Sequence, residues 1–375
     1  MKNIFANQTY DFCYTTLVRD KNVRSSNYLF SSYNHYWYPT VYWDGGYRVD
    51  VGGGETAYNT SLDICEDRPV ADLDLNVSFT WLGNATLDIR VSIQNNDTSE
   101  YRGWVQVYVT EITSTMGWNY ESGGKPCTFA FLDWSIRDSV WLDPDSVWED
   151  SAVWNGNEHN DGQGNDFGGI TMDNVAVLAA VFNNEQHIGY SDPPTGKPFN
   201  AYYADEAALA WIDVPPYVPS DPSPEDDEMA VNPDVNLTWS GGDPQFFDRV
   251  IYDVYFGDTD PPALADSSHA TTSYDPGIMA LGTTYYWKIV ARDSHDNSLV
   301  GPVWSFTVAR RGDCNKDGEV LLSDAVQLIN FVLWSGPPPD PYWCGDVNCD
   351  TLVNLADIVY LVNYLLRSGP EPCQE

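Results

Sequence analysis

Basic residues are scarce in this chain: 18 Lys and Arg stand against 55 Asp and Glu in 375 residues, a formal net charge of −37. A field of that sign repels phosphate backbones and anionic bilayers, so nucleic acid is excluded as a natural partner. Long apolar runs are missing too, and no stretch of about 18 apolar residues is present to span a membrane as a helix. The opening "MKNIFANQTYDFCY" has no apolar signal-peptide core, so the leader of an exported form is expected upstream of Met1. No Cys-x-x-Cys pair occurs, and the five histidines (His35, His159, His187, His269, His295) lack zinc-ligand spacing. G-x-S-x-G, H-E-x-x-H and phosphate-loop motifs are absent. The run "DWSIRDSVWLDPDSVWED" is rich in carboxylates, but a glycosidase pair is defined in space rather than along a chain. These absences point to a protein that is not an enzyme.

What is present favours folded β-structure. Hydrophobic residues make up 43% and aromatics 14%, with Trp, Tyr, Val, Thr, Gly and Pro plentiful and the helix formers Lys, Ala and Glu few. Residues 214–234, "VPPYVPSDPSPEDDEMAVNPD", read as a Pro- and acid-rich linker, and "VARRGDCN" near 311 marks a second boundary. The reading divides the chain into 1–55, 56–213, 216–309 and 312–375. In the first part, "YDFCYTTLV" reads as a strand, "DKNVRSSNYLFSSYN" as a helix and "PTVYWDGGYRVDVGG" as a hairpin turning at Asp44-Gly45-Gly46. Alternation then places Leu73, Leu75, Val77, Phe79 and Trp81 on one face, and Leu87, Ile89, Val91 and Ile93 on one face of the next strand. "WVQVYVTEI" and "NVAVLAAVFN" continue the set, which predicts an antiparallel β-sandwich.

The last part holds an internal repeat with a period of 33 residues: "GDCNKDGEVLLSDAVQLINFVL" aligns with "GDVNCDTLVNLADIVYLVNYLL". Asp313, Asn315, Asp317 and Asp324 recur as Asp346, Asn348, Asp350 and Asp357, at positions 1, 3, 5 and 12 of a twelve-residue loop. Calcium loops place oxygen donors at these positions and a backbone carbonyl at position 7, here Glu319 and Leu352. Two Ca2+ sites are therefore expected. Gly318 allows the turn at position 6, where the second copy has Thr351. An amphipathic helix follows each loop, about 323–334 and 356–367.

A loop–helix unit duplicated across the Pro-rich bridge "SGPPPDPYW" resembles the dockerin module of cellulosomal and related surface proteins. That resemblance implies folding coupled to calcium and docking onto a cohesin-like receptor, with specificity set at Leu322-Ser323 and Leu355-Ala356. These positions are more apolar than the hydroxyl pairs of cellulosomal dockerins, so another partner is expected, such as a further copy of the chain in a homopolymer. Residues 216–309, with "LTWSGGD", "VIYDVYFGD" and "TTYYWKIVARD", resemble a fibronectin type III domain, with Tyr285-Tyr286 near the tyrosine-corner position. "YTTLVRD…YLFSSYNHYWYPTVYWDGGYRVDVGG" is similar to the back half of a thioredoxin-like domain, with Tyr38-Pro39-Thr40 at its cis-proline step and the dithiol-bearing front half missing.

The expected fold class is therefore mainly β. It comprises a partial thioredoxin-like α/β element with a β-sandwich, a fibronectin type III-like sandwich and a small helical, EF-hand-like dockerin. Further expectations attach to single residues. Cys314, Cys344, Cys349 and Cys373 are read as two disulfides of undetermined pairing in an oxidising compartment. "WNGNEHNDGQGNDFGGITMDN" offers Asp161, Asn165, Asp166 and Asp173 to a further calcium ion, with a plain loop as the simpler reading. Glycosylation sequons occur at Asn7, Asn59, Asn76, Asn84, Asn96 and Asn236. The function read from all this is a secreted, non-catalytic, calcium-binding structural protein of an extracellular fibre or cell-surface assembly, using dockerin-like docking and β-edge contacts. One alternative is a dockerin-bearing, glycan-binding accessory of a polysaccharide-degrading complex. The other is a thioredoxin-like oxidoreductase lacking its dithiol half.

Overall fold

The computed structural model describes residues 1–7, 10–120 and 124–373. The chain is mainly β and divides into two compact units, Met1–Val214 with Gln245–Phe247, and Pro215–Pro244 with Asp248–Glu375.

The first unit opens with α1 (Lys2–Ala6), α2 (Val23–Tyr33), the hairpin β1 (Thr40–Trp43) and β2 (Arg48–Val51), and α3 (Glu55–Glu66). Strands follow: β3 (Leu73–Gly83), β4 (Thr86–Asn95), β5 (Tyr101–Thr113), β6 (Thr128–Leu142), β7 (Val147–Asn155), β8 (Val175–Asn183), β9 (His187–Asp192), β10 (Gly196–Ala201) and β11 (Ala204–Trp211). A three-stranded sheet, β3-β4-β7, faces a four-stranded sheet, β11-β8-β5-β6, across one core. Alternation explains the pairing: Leu87, Ile89, Val91 and Ile93 of β4 are all buried against Val105, Val107, Val109 and Val177 of the other sheet, while Asp88 and Arg90 point away.

β8 is buried along its whole length except its last residue, because the N-terminal segment and α2 cover the outer face of the four-stranded sheet. That cover differs from the expectation. The segment "YDFCYTTLV" forms no regular strand and joins β6 through a single bridge, Thr16 to Ala130. Asn22 takes over where a ladder would continue. Its side-chain amide donates to the Phe131 and Leu132 carbonyls at 3.0 and 2.8 Å, while its Oδ1 caps α2 through the Arg24 and Ser25 amides. The sandwich also begins later than residue 56, since α3 occupies 55–66 and β3 starts at Leu73. Just beyond α3, the buried Arg68 pairs with Asp205 at 3.0 Å and Asp44 at 3.3 Å and donates to the Ala204 carbonyl. Gly45 turns the β1–β2 hairpin at φ 68°, and a Cβ there would lie 2.0 Å from the Tyr202 carbonyl. The Tyr38–Pro39 bond is cis.

The second unit contains β12 (Ser220–Ser223), β13 (Glu228–Val231), β14 (Leu237–Ser240), β15 (Ile251–Gly257), β16 (Leu264–His269), β17 (Ser273–Tyr274), β18 (Thr284–Arg292), β19 (Ser298–Val300) and β20 (Trp304–Val308), then α4 (Leu322–Trp334) and α5 (Leu355–Arg367). Sheets β12-β14-β17 and β13-β20-β18-β15-β16 enclose Trp239, Tyr252, Trp287 and Trp304. The Tyr285 hydroxyl accepts the Ala280 amide at 3.1 Å, five residues upstream. The stretch expected as a linker is thus partly strand: β12 pairs with β14, and β13 runs parallel to β20. Both lie at sheet edges, where prolines are tolerated. The repeat does not hang free of this sandwich, since Cys344 and Trp343 pack on Ala230 and Ala309.

Candidate metal centre

The two halves of the repeat are superimposable in their local bonding. In the first loop Asp324, on the first turn of α4, takes the amides of Cys314 and Asn315 on Oδ1 (2.8 and 3.1 Å) and that of Leu321 on Oδ2 (2.8 Å). In the second, Asp357 takes Val347 and Asn348 on Oδ1 (3.0 and 3.4 Å) and Asn354 on Oδ2 (2.8 Å). Asn315 Oδ1 accepts the Asp317 amide and Asp317 Oδ1 that of Glu319, and Asn348, Asp350 and Leu352 repeat the pattern. Each helix ends on a left-handed serine, Ser335 or Ser368, whose amide returns to the Asn330 or Asn363 carbonyl. The core between the helices pairs Cys314 with Val347, Ala325 with Ile358 and Leu328 with Leu361 at equivalent positions.

Asp313, Asp324, Asp346 and Asp357 are all buried. Burying carboxylates is costly without compensation, and here it is incomplete. Asp313 Oδ2 accepts the Gly318 amide at 3.0 Å, but its Oδ1 is buried with no hydrogen-bond partner among the described residues. Burial first, then the neighbouring Asp324 and Asp317 charges, raise the Asp313 carboxyl above its ordinary range. Burial likewise raises Asp324 and Asp357. A divalent cation bound among Asp313, Asn315, Asp317 and Asp324 fits this set. It would satisfy the orphaned oxygen and neutralise the clustered charge.

The second loop differs at its first ligand. Asp346 accepts the Asp350 amide (3.0 Å) and the Thr351 amide (3.1 Å), and Arg311 Nη1 lies 3.3 Å from Oδ2. Thr351 holds φ 72° where Gly318 holds 84°. Leu322, Ser323, Leu355 and Ala356 open the two helices and are exposed. They continue into two matching apolar stripes. Leu322, Val326 and Leu333 are 51–55% exposed, and Leu355, Val359 and Leu366 are 53–61% exposed.

Other expected site residues fall differently. One disulfide forms, Cys349–Cys373, whereas Cys314 and Cys344 are buried free thiols. Cys314 fills the core position that Val347 fills in the second copy, so its side chain is packing rather than pairing. Asp161 is engaged by its own loop, accepting the amides of Gln163 and Asn165 and the Asn165 side chain. Asp166 accepts the Gly168 amide in a local turn, and Asp173 stands exposed in the separate turn Met172–Asn174, so local hydrogen bonds engage Asp161, Asn165 and Asp166, while Asp173 belongs to another turn. Asn7, Asn76, Asn84 and Asn236 are exposed, Asn96 is half-buried, and Asn59 lies half-buried on α3 with its Oδ1 covered. The sequence reading passed over "RDSHDN". There Asp293 and His295 meet Asp248 with donor atoms within 4.8 Å of one another, His295 Nδ1 lying 2.8 Å from Asp248 Oδ2. The D-S-H-D spacing was the available signal, but the third donor comes from a distant segment. Among thiols outside the repeat, burial pushes Cys13 and Cys65 up to about 12, which suppresses the thiolate needed for exchange chemistry.

No protein-family model and no curated protein matches the chain. Among solved structures, it is similar in part to a mutant β-glucosidase from Listeria innocua in complex with laminaribiose, at TM-score 0.22 and 12% identity over 38% of this chain and 16% of that one. A red sea bream transglutaminase matches at TM-score 0.21 and 11% identity over 69% of this chain and 34% of that one. A β-glucosidase from Kluyveromyces marxianus matches at TM-score 0.22 and 11% identity over 38% and 14%. The chain spans at most about a third of the length of these neighbours, and likeness this low carries no argument about function.

Proposed function

We propose that this chain is a non-catalytic, secreted, calcium-binding assembly protein whose C-terminal repeat resembles a dockerin and docks onto a protein partner. The observation that carries the reading is the in-register duplication. Two buried aspartates receive the same three amides apiece, and two exposed apolar stripes recur at the same helical positions. Selection for a solvated surface alone would not place leucine and valine at equal exposure on both helices, and paired apolar patches of this kind mark contact surfaces. The Cys349–Cys373 bond accords with an oxidising, extracellular setting. Fibronectin type III-like and N-terminal sandwiches would then serve as structural beads, and another copy of the chain is the partner that yields a fibre.

The test is calcium titration calorimetry joined to light scattering and electron microscopy of the purified chain, with and without a chelator. Two bound ions per chain and chelator-reversible assemblies are expected. A chain that takes up no calcium refutes the metal reading, and one that binds calcium but stays monomeric at all concentrations refutes self-assembly.

A further inference from the structure

The outer face of the four-stranded sheet in the first unit carries an open cleft of about 550 Å³, within the usual range of small-ligand sites. Its floor is Trp104 and Gln106 of β5 with Phe182 of β8, and its walls are Tyr33 at the end of α2, Phe199 of β10 and Tyr202. Alternation along β5 explains the floor: residues 105, 107 and 109 face the sandwich core, so 104 and 106 must face the other way. Gly45 permits the close approach of the hairpin to Tyr202 and Phe182 that closes one side.

Three features of this cleft bear on its ligand. Its aromatic planes are held by one another before anything binds: Trp104 stacks with Phe182 (6.1 Å, 17°), and Tyr202 stands edge-on to Trp104 (4.6 Å, 74°). Two of its polar side chains, Gln106 and Arg137, keep donors to spare. Gln106 is only 6% exposed and its Oε1 takes the Tyr108 hydroxyl at 3.1 Å, which leaves its amide hydrogens without a protein acceptor among the described residues. Arg137 at the rim lies over the Trp134 ring and has no ion pair among the described residues. Finally, no acidic residue lines the cleft, in a chain with 55 of them. The Gln106 amide nitrogen keeps access to solvent at the cleft, so a ligand oxygen can take the place of water there.

We infer that this cleft is a carbohydrate site, binding a pyranose unit of a glycan chain through aromatic faces and the Gln106 amide. A sugar ring offers both halves of what the cleft asks for. Its axial C–H face packs against an aromatic ring, and its hydroxyls both accept from an amide or guanidinium and donate to a tyrosine. The lack of carboxylates fits a sugar that is neutral or acidic, and Arg137 is placed to pair with a uronate. This inference is independent of the calcium module, which lies in the other unit.

The test is native affinity electrophoresis of the full chain through gels containing barley β-glucan, xylan, galactomannan, polygalacturonate or alginate. Retardation in at least one gel is expected. Trp104→Ala and Gln106→Leu should each weaken it tenfold or more, while Trp334→Ala, on α4 of the other unit and 71% exposed, should leave it unchanged. Should Trp104→Ala unfold, as read by near-ultraviolet circular dichroism, Gln106→Leu alone decides. Loss on acidic glycans only in Arg137→Ala assigns a uronate, and an unchanged Arg137→Ala assigns a neutral sugar. Free migration in all five gels, or retardation that survives a folded Gln106→Leu, overturns the inference.

Discussion

The two twelve-residue loops share their hydrogen bonding and differ in how each is tied down. At position 4, Lys316 and Cys349 both adopt left-handed backbone, with φ 65° and 57°. Each is joined to the residue 24 positions further along: Lys316 to Asp340 by an exposed ion pair at 2.6 Å, and Cys349 to Cys373 by a disulfide. At position 6 the first loop has glycine, for which the conformation is free, and the second has threonine, for which it is strained. At position 1 the first loop leaves Asp313 Oδ1 unpartnered, whereas the second sets Arg311 beside Asp346. Sequence divergence has therefore made one loop easier to bend and better poised for a cation. The other is held covalently and partly satisfied from within.

The sharpest way to break this comparison is to remove the twelfth residue of each loop in turn. Asp324→Ala and Asp357→Ala each strand three backbone amides, and hydrogen bonds to a charged acceptor are worth about 1.5–3 kcal/mol apiece. A loss of at least about 3 kcal/mol is expected for either, read by hydrogen exchange of the helices in chelator. With calcium present, Asp324→Ala should cost more than Asp357→Ala, because the first loop has the orphaned oxygen for the ion to satisfy. Equal costs in both conditions would mean that the loops bind alike, and would remove the basis for calling the first the better site.

Next in size is the disulfide. Closing a loop of 24 residues stabilises by about 3 kcal/mol in the chain-entropy account. Replacing Cys349 and Cys373 by serine should lower the unfolding free energy of the repeat by about that amount, checked by urea unfolding with and without reductant. If the variant is as stable as the parent, then the second loop is held by packing, and the contrast with Lys316 disappears.

How much of this was legible beforehand depends on how local each signal is. The in-register aspartates, the alternating β3 and β4, and the helices after each loop are local patterns, and the chain has them where periodicity placed them. β12 was hidden by a proline that suits an edge strand and β13 by its length of four residues, and α3, "ETAYNTSLDICE", has too mixed a face to announce itself. Thr16 and Asn22 tie the N-terminal segment to carbonyls and amides of β6 about 110 residues away, which no window along the sequence contains. The aromatic cleft joins residues from Tyr28 to Tyr202 for the same reason. The tie between Lys316 and Asp340 becomes visible only when the repeat is laid over the cysteine pair it mirrors.

A smaller effect is expected at position 6. Thr351→Gly should relieve a β-branched residue of left-handed backbone and gain roughly 1 kcal/mol, while Gly318→Thr should lose about 1–2 kcal/mol. Paired thermal melts of the two variants measure both. Opposite signs support the strain argument, and a Thr351→Gly variant that loses stability refutes it.

The smallest effect belongs to the ion pair. Lys316 is 41% exposed and Asp340 79%, so their attraction is largely screened, and Lys316→Ala should change stability by less than about 1 kcal/mol. Yet the same two positions carry a disulfide in the second copy, which makes the pair a geometric experiment as well. If the two loops share a backbone, Lys316→Cys with Asp340→Cys should close spontaneously in air and raise the stability of the first loop toward that of the second. Thiol titration and a melt with and without reductant read the result. A double variant whose thiols stay free would show that the first loop holds its position 4 further from its anchor, and that the repeat is alike in hydrogen bonding but not in shape.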